Sequence, residues 1–203
     1  MNDRALLAIN DIAKAFRGTP VLNGVDLELR SGEMLAVVGE NGSGKSTLLK
    51  IIVGLLEPDA GAFRIQGTMG YCPQESLVFE NLTVRENFQF FGKAYGLTDW
   101  RERSVRLLER FQFAQYADYL ISKVSGGTRQ KLNLCLALMH DPDVLILDEP
   151  YSGFDWETYL HFWGLTEELL ERGRGLLIVS HLIYDHDQFS AVHELVDGVL
   201  RCD

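Results

Sequence analysis

The strongest constraint on this chain is the stretch Gly39-Glu40-Asn41-Gly42-Ser43-Gly44-Lys45-Ser46-Thr47. It follows the apolar run Met34-Leu35-Ala36-Val37-Val38 and precedes Leu48-Leu49-Lys50-Ile51-Ile52. A short apolar run, then glycines, then apolar residues at helical spacing reads as strand, loop and helix. The spacing G-x-x-x-x-G-K-[ST] lets residues without Cβ wrap the backbone closely round an anion, so that successive N–H groups and the helix N-terminus point at phosphate oxygens. In such a loop Lys45 meets the outer phosphates and the Ser46 hydroxyl is placed to ligate Mg²⁺. A glycine-rich turn that happens to carry a lysine is the plainer alternative, and the flanking strand and helix disfavour it.

At 203 residues the chain has room for one well-buried domain or a core with a small satellite. Its net charge of -10 disfavours a general nucleic-acid surface, because phosphate backbones are held mainly by Lys and Arg. Cys72, Cys135 and Cys202 are scattered, odd in number and without metal-ligand spacing, so they read as reduced thiols. Met1-Asn2-Asp3-Arg4 runs into a strand-like segment with no sign of a signal peptide, and no apolar run approaches the ~20 residues of a spanning helix. Any membrane task then needs another chain.

Leu6 to Ile9 and Val25-Asp26-Leu27-Glu28-Leu29 read as early strands, the second alternating as a half-exposed antiparallel strand does. Phe16 lies between them, and an aromatic there is more often core than ligand. Glu57-Pro58-Asp59-Ala60-Gly61 ends the helix after the loop, and Phe63 to Gln66 and Met69 to Tyr71 read as short strands leading to Gln74. From Thr83 the pattern turns helical. Thr83-Val84-Arg85-Glu86 and Asp99-Trp100-Arg101-Glu102 each have the form of a capping box, and the helix after Asp99 repeats Trp100, Ser104, Leu107, Leu108 and Phe111 on one face. The stretch from about Glu75 to Pro142 is therefore a helical block inserted between strands. Within it, Val124-Ser125-Gly126-Gly127-Thr128-Arg129-Gln130 precedes Leu132, Cys135, Leu136 and Met139 at helical spacing. Ser-Gly-Gly at a helix start is either a second anion-binding terminus with exposed N–H groups or only a flexible cap.

Val144-Leu145-Ile146-Leu147-Asp148-Glu149-Pro150 reads as a buried strand ending in two carboxylates. In open parallel sheets ligands bind beyond the carboxyl ends of strands, which puts both acids at the edge where chemistry occurs. Neighbours on a strand point opposite ways and can take different roles. Asp148 would hold Mg²⁺ through water, and Glu149 would face the γ-phosphate and take a proton from the attacking water. A helix from about Trp156 to Arg172 and a buried strand Leu176-Leu177-Ile178-Val179-Ser180 follow, with His181 at the strand's end. His140, His161, His186 and His193 have no such placement and read as surface or packing residues, and His193 to Leu200 reads as a last strand-like run.

In order, these segments resemble the ATP-binding cassette (ABC) family of ATPases over nearly the whole chain. Gly39, Glu40, Asn41, Gly42, Ser43, Gly44, Lys45, Ser46 and Thr47 are similar to its Walker A loop, Gln74 to its Q-loop, Ser125 to Gln130 to its signature motif, Val144 to Glu149 to its Walker B strand, Ser152 to Asp155 to its D-loop, and His181 to its H-loop. Phe16 is similar to the aromatic on which the family stacks adenine. The resemblance implies an α/β fold, a P-loop NTPase (RecA-like) core with an antiparallel β subdomain and an inserted α-helical subdomain. One domain would span residues 1–203, with its nucleotide-binding core at 1–74 and 143–203 and the helical subdomain at 75–142. It implies ATP and Mg²⁺, the metal held by Ser46, Gln74 and Asp148, with Glu149 and His181 catalytic and His181 orienting γ-phosphate and water. Two such domains would face head to tail as a homo- or heterodimer, each ATP lying between one Walker A loop and Ser125, Gly126 and Gly127 of the other, with Asp155 reaching across.

Likeness of Phe79 to Leu97 to bacterial export-type members implies an exporter whose integral-membrane permease is a separate chain. The ATPase would then be cytoplasmic and peripheral on the inner face of the membrane, with no nucleic acid expected. A soluble ABC ATPase driving an assembly, repair or translation machine is the alternative. Against it, no long coiled coil lies between the Walker A loop and the signature, and the chain has one cassette. A nucleotide sensor with a dead site is disfavoured by the intact Lys45, Asp148, Glu149 and His181. The chain departs from the family at Val124 and Thr128, where Leu and Gln are common, and in a short segment between Gly61 and Gly70.

Overall fold

Met34–Val38 is apolar throughout and almost fully buried, which requires sheet neighbours on both edges and cover on both faces. The computed structural model, which describes residues 4–181 and 186–202, supplies both. This strand, β3, follows a hairpin of β1 (Ala5–Phe16) and β2 (Thr19–Arg30). Then come α1 (Lys45–Ile52), β4 (Ala60–Ile65), β5 (Met69–Cys72), α2 (Val84–Ala94), α3 (Trp100–Arg110) and α4 (Gly126–Leu138). The chain closes with β6 (Val144–Asp148), α5 (Trp156–Glu171), β7 (Gly175–Val179), β8 (Ala191–Val196) and β9 (Val199–Cys202).

The strands form two sheets. One is antiparallel in the order β2-β1-β4; the other runs β5-β6-β7-β3-β8-β9, parallel except for the edge strand β9. Strand parity sorts the apolar side chains between two cores. Val144 and Ile146 of β6 and Leu177 and Val179 of β7 face the cluster that holds α1 and the antiparallel sheet. Leu145, Leu147, Leu176 and Ile178 face the cluster built by α2, α3, α4 and α5. Asp148 continues the parity of Val144 and Ile146, so its carboxylate lies on the side of the sheet that carries α1.

Most expected elements form, with differences that have local causes. β1 does not stop at Ile9: Asp11 adopts φ 50°, the register shifts between Ile9 and Ile12, and the strand resumes to Phe16. Phe16 is therefore at the tip of a hairpin whose turn, Arg17-Gly18, has positive φ at both residues (50° and 82°). The expected single run from His193 to Leu200 is a hairpin, because Asp197 and Gly198 adopt φ 51° and 77° and reverse the chain between β8 and β9. Thr83 and Glu86 form the expected capping box of α2. Asp99 does not cap α3: its backbone is not extended, and its carboxylate accepts from Arg103 Nε at 2.8 Å one turn on. Trp100, Ser104, Leu108 and Phe111 are buried on the expected face. Among the described residues no helix is long and apolar enough to cross a membrane.

Candidate active site

The phosphate loop spans the C-terminal end of β3 and the start of α1. Gly44 stands at the N-cap of α1 with φ 111° and no side chain to cap the first turn, so the helix's leading N–H groups are left for an anion. Gly39 is required by space: a Cβ there would lie 2.7 Å from the Leu195 carbonyl and 2.8 Å from Ser43 Oγ. Ser43 Oγ is buried and has no hydrogen-bond partner among the described residues, an orphan that a phosphate oxygen would satisfy. Lys45 is only 7% exposed. Its ammonium donates to the Gly39 and Glu40 carbonyls, the second at 2.9 Å, which curls the loop round it. Burial lowers its pKa, against the opposing pull of Glu149 and Asp148.

These groups open into a cavity of about 310 Å³. Of the residues singled out in the sequence, Phe16, Lys45, Gln74, Asp148, Glu149 and His181 line it, together with Asn41, Gly42, Gly44, Ser46 and Thr47 of the loop. They come from the β1–β2 hairpin, the loop after β3, the segment after β5, and the ends of β6 and β7. Gly39, Glu40 and Ser43 shape the loop beneath it. The carboxyl of Asp148 is pushed up by burial and by Glu149, partly offset by a hydrogen bond from the Gln74 backbone and by Lys45. A half-buried acid lining one cavity with Ser46 and Gln74 suits a hard cation that takes oxygen ligands and keeps several waters. No cluster of three or more His, Cys, Asp or Glu exists among the described residues, and Mg²⁺ completed by phosphate oxygens does not need one.

Glu149 separates from Asp148 by a means other than strand alternation. β6 ends at Asp148, and Glu149 turns back with φ 49°, its N–H donating to the Val179 carbonyl at 2.9 Å. Its carboxylate is then gripped from β7's end: Ser180 Oγ donates to Oε2 at 2.8 Å and the His181 N–H to Oε1 at 2.6 Å, with His181 Nε2 3.6 Å from the same oxygen. Ser180 escaped sequence reasoning, although its place just before His181 was the available signal. Val21, which lines the cavity beside Phe16, gave none.

Ser125, Gly126 and Gly127 are not among the residues that line this cavity; they lie at the N-terminus of α4, with Ser125 capping the helix by accepting from the Thr128 N–H at 3.1 Å. The turn before α5 lies against it, since a Cβ on Gly127 would come within 2.9 Å of the Gly153 carbonyl. Asp155 caps α5 by accepting from the Thr158 N–H at 2.8 Å, and its other oxygen is 3.6 Å from Lys131 Nζ.

The family model described as "ABC transporter" matches residues 22–152, well over half of the chain. The chain belongs to the ABC transporter family. It is an ATP-binding ATPase subunit of that family. The Nod factor export ATP-binding protein I of Burkholderia lata is 31% identical to this ABC subunit, over 98% of this chain and 75% of the relative. The linearmycin resistance ATP-binding protein LnrL of Bacillus subtilis is 33% identical, over 87% of this chain and 61% of its own length. A solved ATP-binding subunit of an ABC transporter superposes with TM-score 0.91 at 28% identity, covering 96% of this chain and 88% of that one. A dimeric ATP-binding cassette in a post-hydrolysis state bound to ADP and Pi shares the fold, with TM-score 0.88 at 23% identity.

Proposed function

We propose that this ATPase powers export by a separate integral-membrane permease, working as a dimer on the cytoplasmic face of the membrane. The observation that carries the reading is the single cavity in which Phe16, Lys45, Gln74, Asp148, Glu149 and His181 meet. Phe16 stacks adenine; the loop amides and Lys45 hold the phosphates; Ser46, Asp148 and Gln74 are the residues that would hold Mg²⁺. That ion, when bound, neutralises charge on the β- and γ-phosphate oxygens. Glu149, held by Ser180 and the His181 N–H, takes a proton from water as its oxygen attacks the γ-phosphorus and the bond to the β-phosphate bridging oxygen breaks. His181 orients that water and the γ-phosphate.

Ser125, Gly126 and Gly127 face the nucleotide of the opposite subunit, and Asp155 and its turn line the same interface. Closure of the dimer completes the site and excludes water. Residues 1–74 and 143–203 form the nucleotide-binding core, and residues 75–142 form the helical subdomain, which Gln74 links to the γ-phosphate. Just beyond Gln74, Leu77, Phe79 and Phe90 are 61%, 43% and 49% exposed, and the two phenylalanine rings meet edge to face at 4.6 Å. An apolar surface at that point supports a docking site for a cytoplasmic segment of the permease. The names of the export and resistance relatives support the direction of transport.

Copurification from detergent tests the reading. An integral-membrane polypeptide in stoichiometric complex is expected; a soluble scaffold as the sole stable partner would contradict it.

A further inference from the structure

Thr128 stands where the family commonly has the longer glutamine, and its surroundings show what the shorter side chain does. It is 7% exposed, and its Oγ1 lies 3.0 Å from Ser125 Oγ, the hydroxyl's one hydrogen bond among the described residues. Were Ser125 the donor in that pair, the proton of the largely buried Thr128 would have no acceptor among the described residues. Either oxygen can donate in that pair, and the arrangement with Thr128 as donor is the one that leaves no hydroxyl proton on the buried side without an acceptor. Ser125 Oγ already accepts from the Thr128 backbone N–H. A serine oxygen has two lone pairs, and both are now taken by one residue. What remains is the Ser125 proton, on a residue that is exposed. Ser125 can meet an incoming group only as a donor, which suits a phosphate oxygen. Gly126 beside it leaves open space: a Cβ there would meet no atom of the described residues within 4 Å.

We infer that Thr128 is a positioning residue for ATP-dependent pairing of two copies: its hydroxyl fills the second lone pair of Ser125 Oγ and turns the serine proton outward, to a phosphate oxygen of the nucleotide held by a second copy. This rests on the reading of Ser125 as facing the opposite subunit's ATP. Thr128 itself touches no nucleotide. A glutamine there could reach outward on its own, whereas threonine acts through the serine.

The test is Mg·ATP-dependent dimerisation, measured by sedimentation of the full chain carrying Glu149→Gln so that hydrolysis does not drain the dimer. Thr128→Val keeps the shape and removes the hydroxyl; Thr128→Ala removes it in a better helix former, should valine fold poorly. Both are expected to weaken the dimer roughly tenfold, Thr128→Ser to stay within about twofold, and Ser125→Ala to lose at least as much as Thr128→Val. Binding of a fluorescent ATP analogue to dilute monomer should be the same in all the Thr128 variants. If Thr128→Val and Thr128→Ala dimerise like the parent while Ser125→Ala does not, the inference is overturned and the interface reading stands. A Thr128→Ser variant as weak as Thr128→Val would also overturn it, since packing rather than the hydroxyl would be at work. If Ser125→Ala dimerises like the parent, the interface reading fails and the inference with it.

Discussion

Lys45 and Asp148 carry opposed charges into the same half-dry cleft, and burial disfavours the charged form of each. Because the Asp148 pKa is raised in the folded state, the native protein holds that proton to higher pH than the unfolded chain. Stability is then lost as pH rises from the ordinary carboxylate range through the raised value, and the penalty is complete only above it. The lowered Lys45 pKa acts in the other direction: its cost is present below the folded value and is relieved as pH climbs from there to the ordinary lysine range. Two charged groups held at a cost are what the proposed binding of phosphate and a cation would require. Asp148→Asn should therefore raise the Tm of the nucleotide-free protein by roughly 2–4 °C while lowering ATP turnover, read by calorimetry and phosphate release. A fall in Tm would mean that Asp148 stabilises the fold instead. Lys45→Ala should weaken ATP binding roughly tenfold to hundredfold by titration calorimetry, with unchanged affinity contradicting the phosphate-loop assignment. The loop residues were legible because their spacing encodes a backbone shape. The grip of Ser180 on Glu149 was not, because it depends on a positive φ at Glu149 that nothing in Asp148-Glu149-Pro150 announces.

At the scale of elements, two similar tetrads give two different helix starts. Thr83 has extended backbone and exchanges hydrogen bonds with Glu86, whereas Asp99 turns its carboxylate to Arg103. Thr83→Ala should cost about 1 kcal/mol in denaturant unfolding, and Asp99→Ala less than about 0.5 kcal/mol, since only a partly exposed ion pair is lost. Equal costs would contradict the assignment of one true cap. The S/T-x-x-E pattern names residues able to cap; whether they do is decided by the φ and ψ of the first residue and by a rival cation one turn on. The bulge at Asp11 and the reversal at Asp197-Gly198 were missed for related reasons. In the first, Asn10-Asp11 reads as a strand end when it is an extra residue within a continuing strand. In the second, Asp-Gly between apolar residues is a hairpin signal, which the apolar run on either side of it masks.

For the whole molecule, the apolar runs declared a parallel sheet, but only the structure gives the order β5-β6-β7-β3-β8. That order matters to function: β3 pairs directly with β7, and β7 with β6, so the phosphate loop, His181 and the two acids emerge from three adjacent strand ends. Residues more than a hundred positions apart in sequence thereby face one cavity, and strand parity directs Asp148 to the side of Lys45. Hydrolysis by a water that the Glu149 carboxylate deprotonates in that cavity is the claim on which coupling, closure and transport all depend. The most direct measurement is steady-state phosphate release at saturating Mg·ATP by Glu149→Gln, whose nucleotide binding should persist. Release is expected to fall at least roughly hundredfold; undiminished release would remove Glu149 as the base and contradict the account.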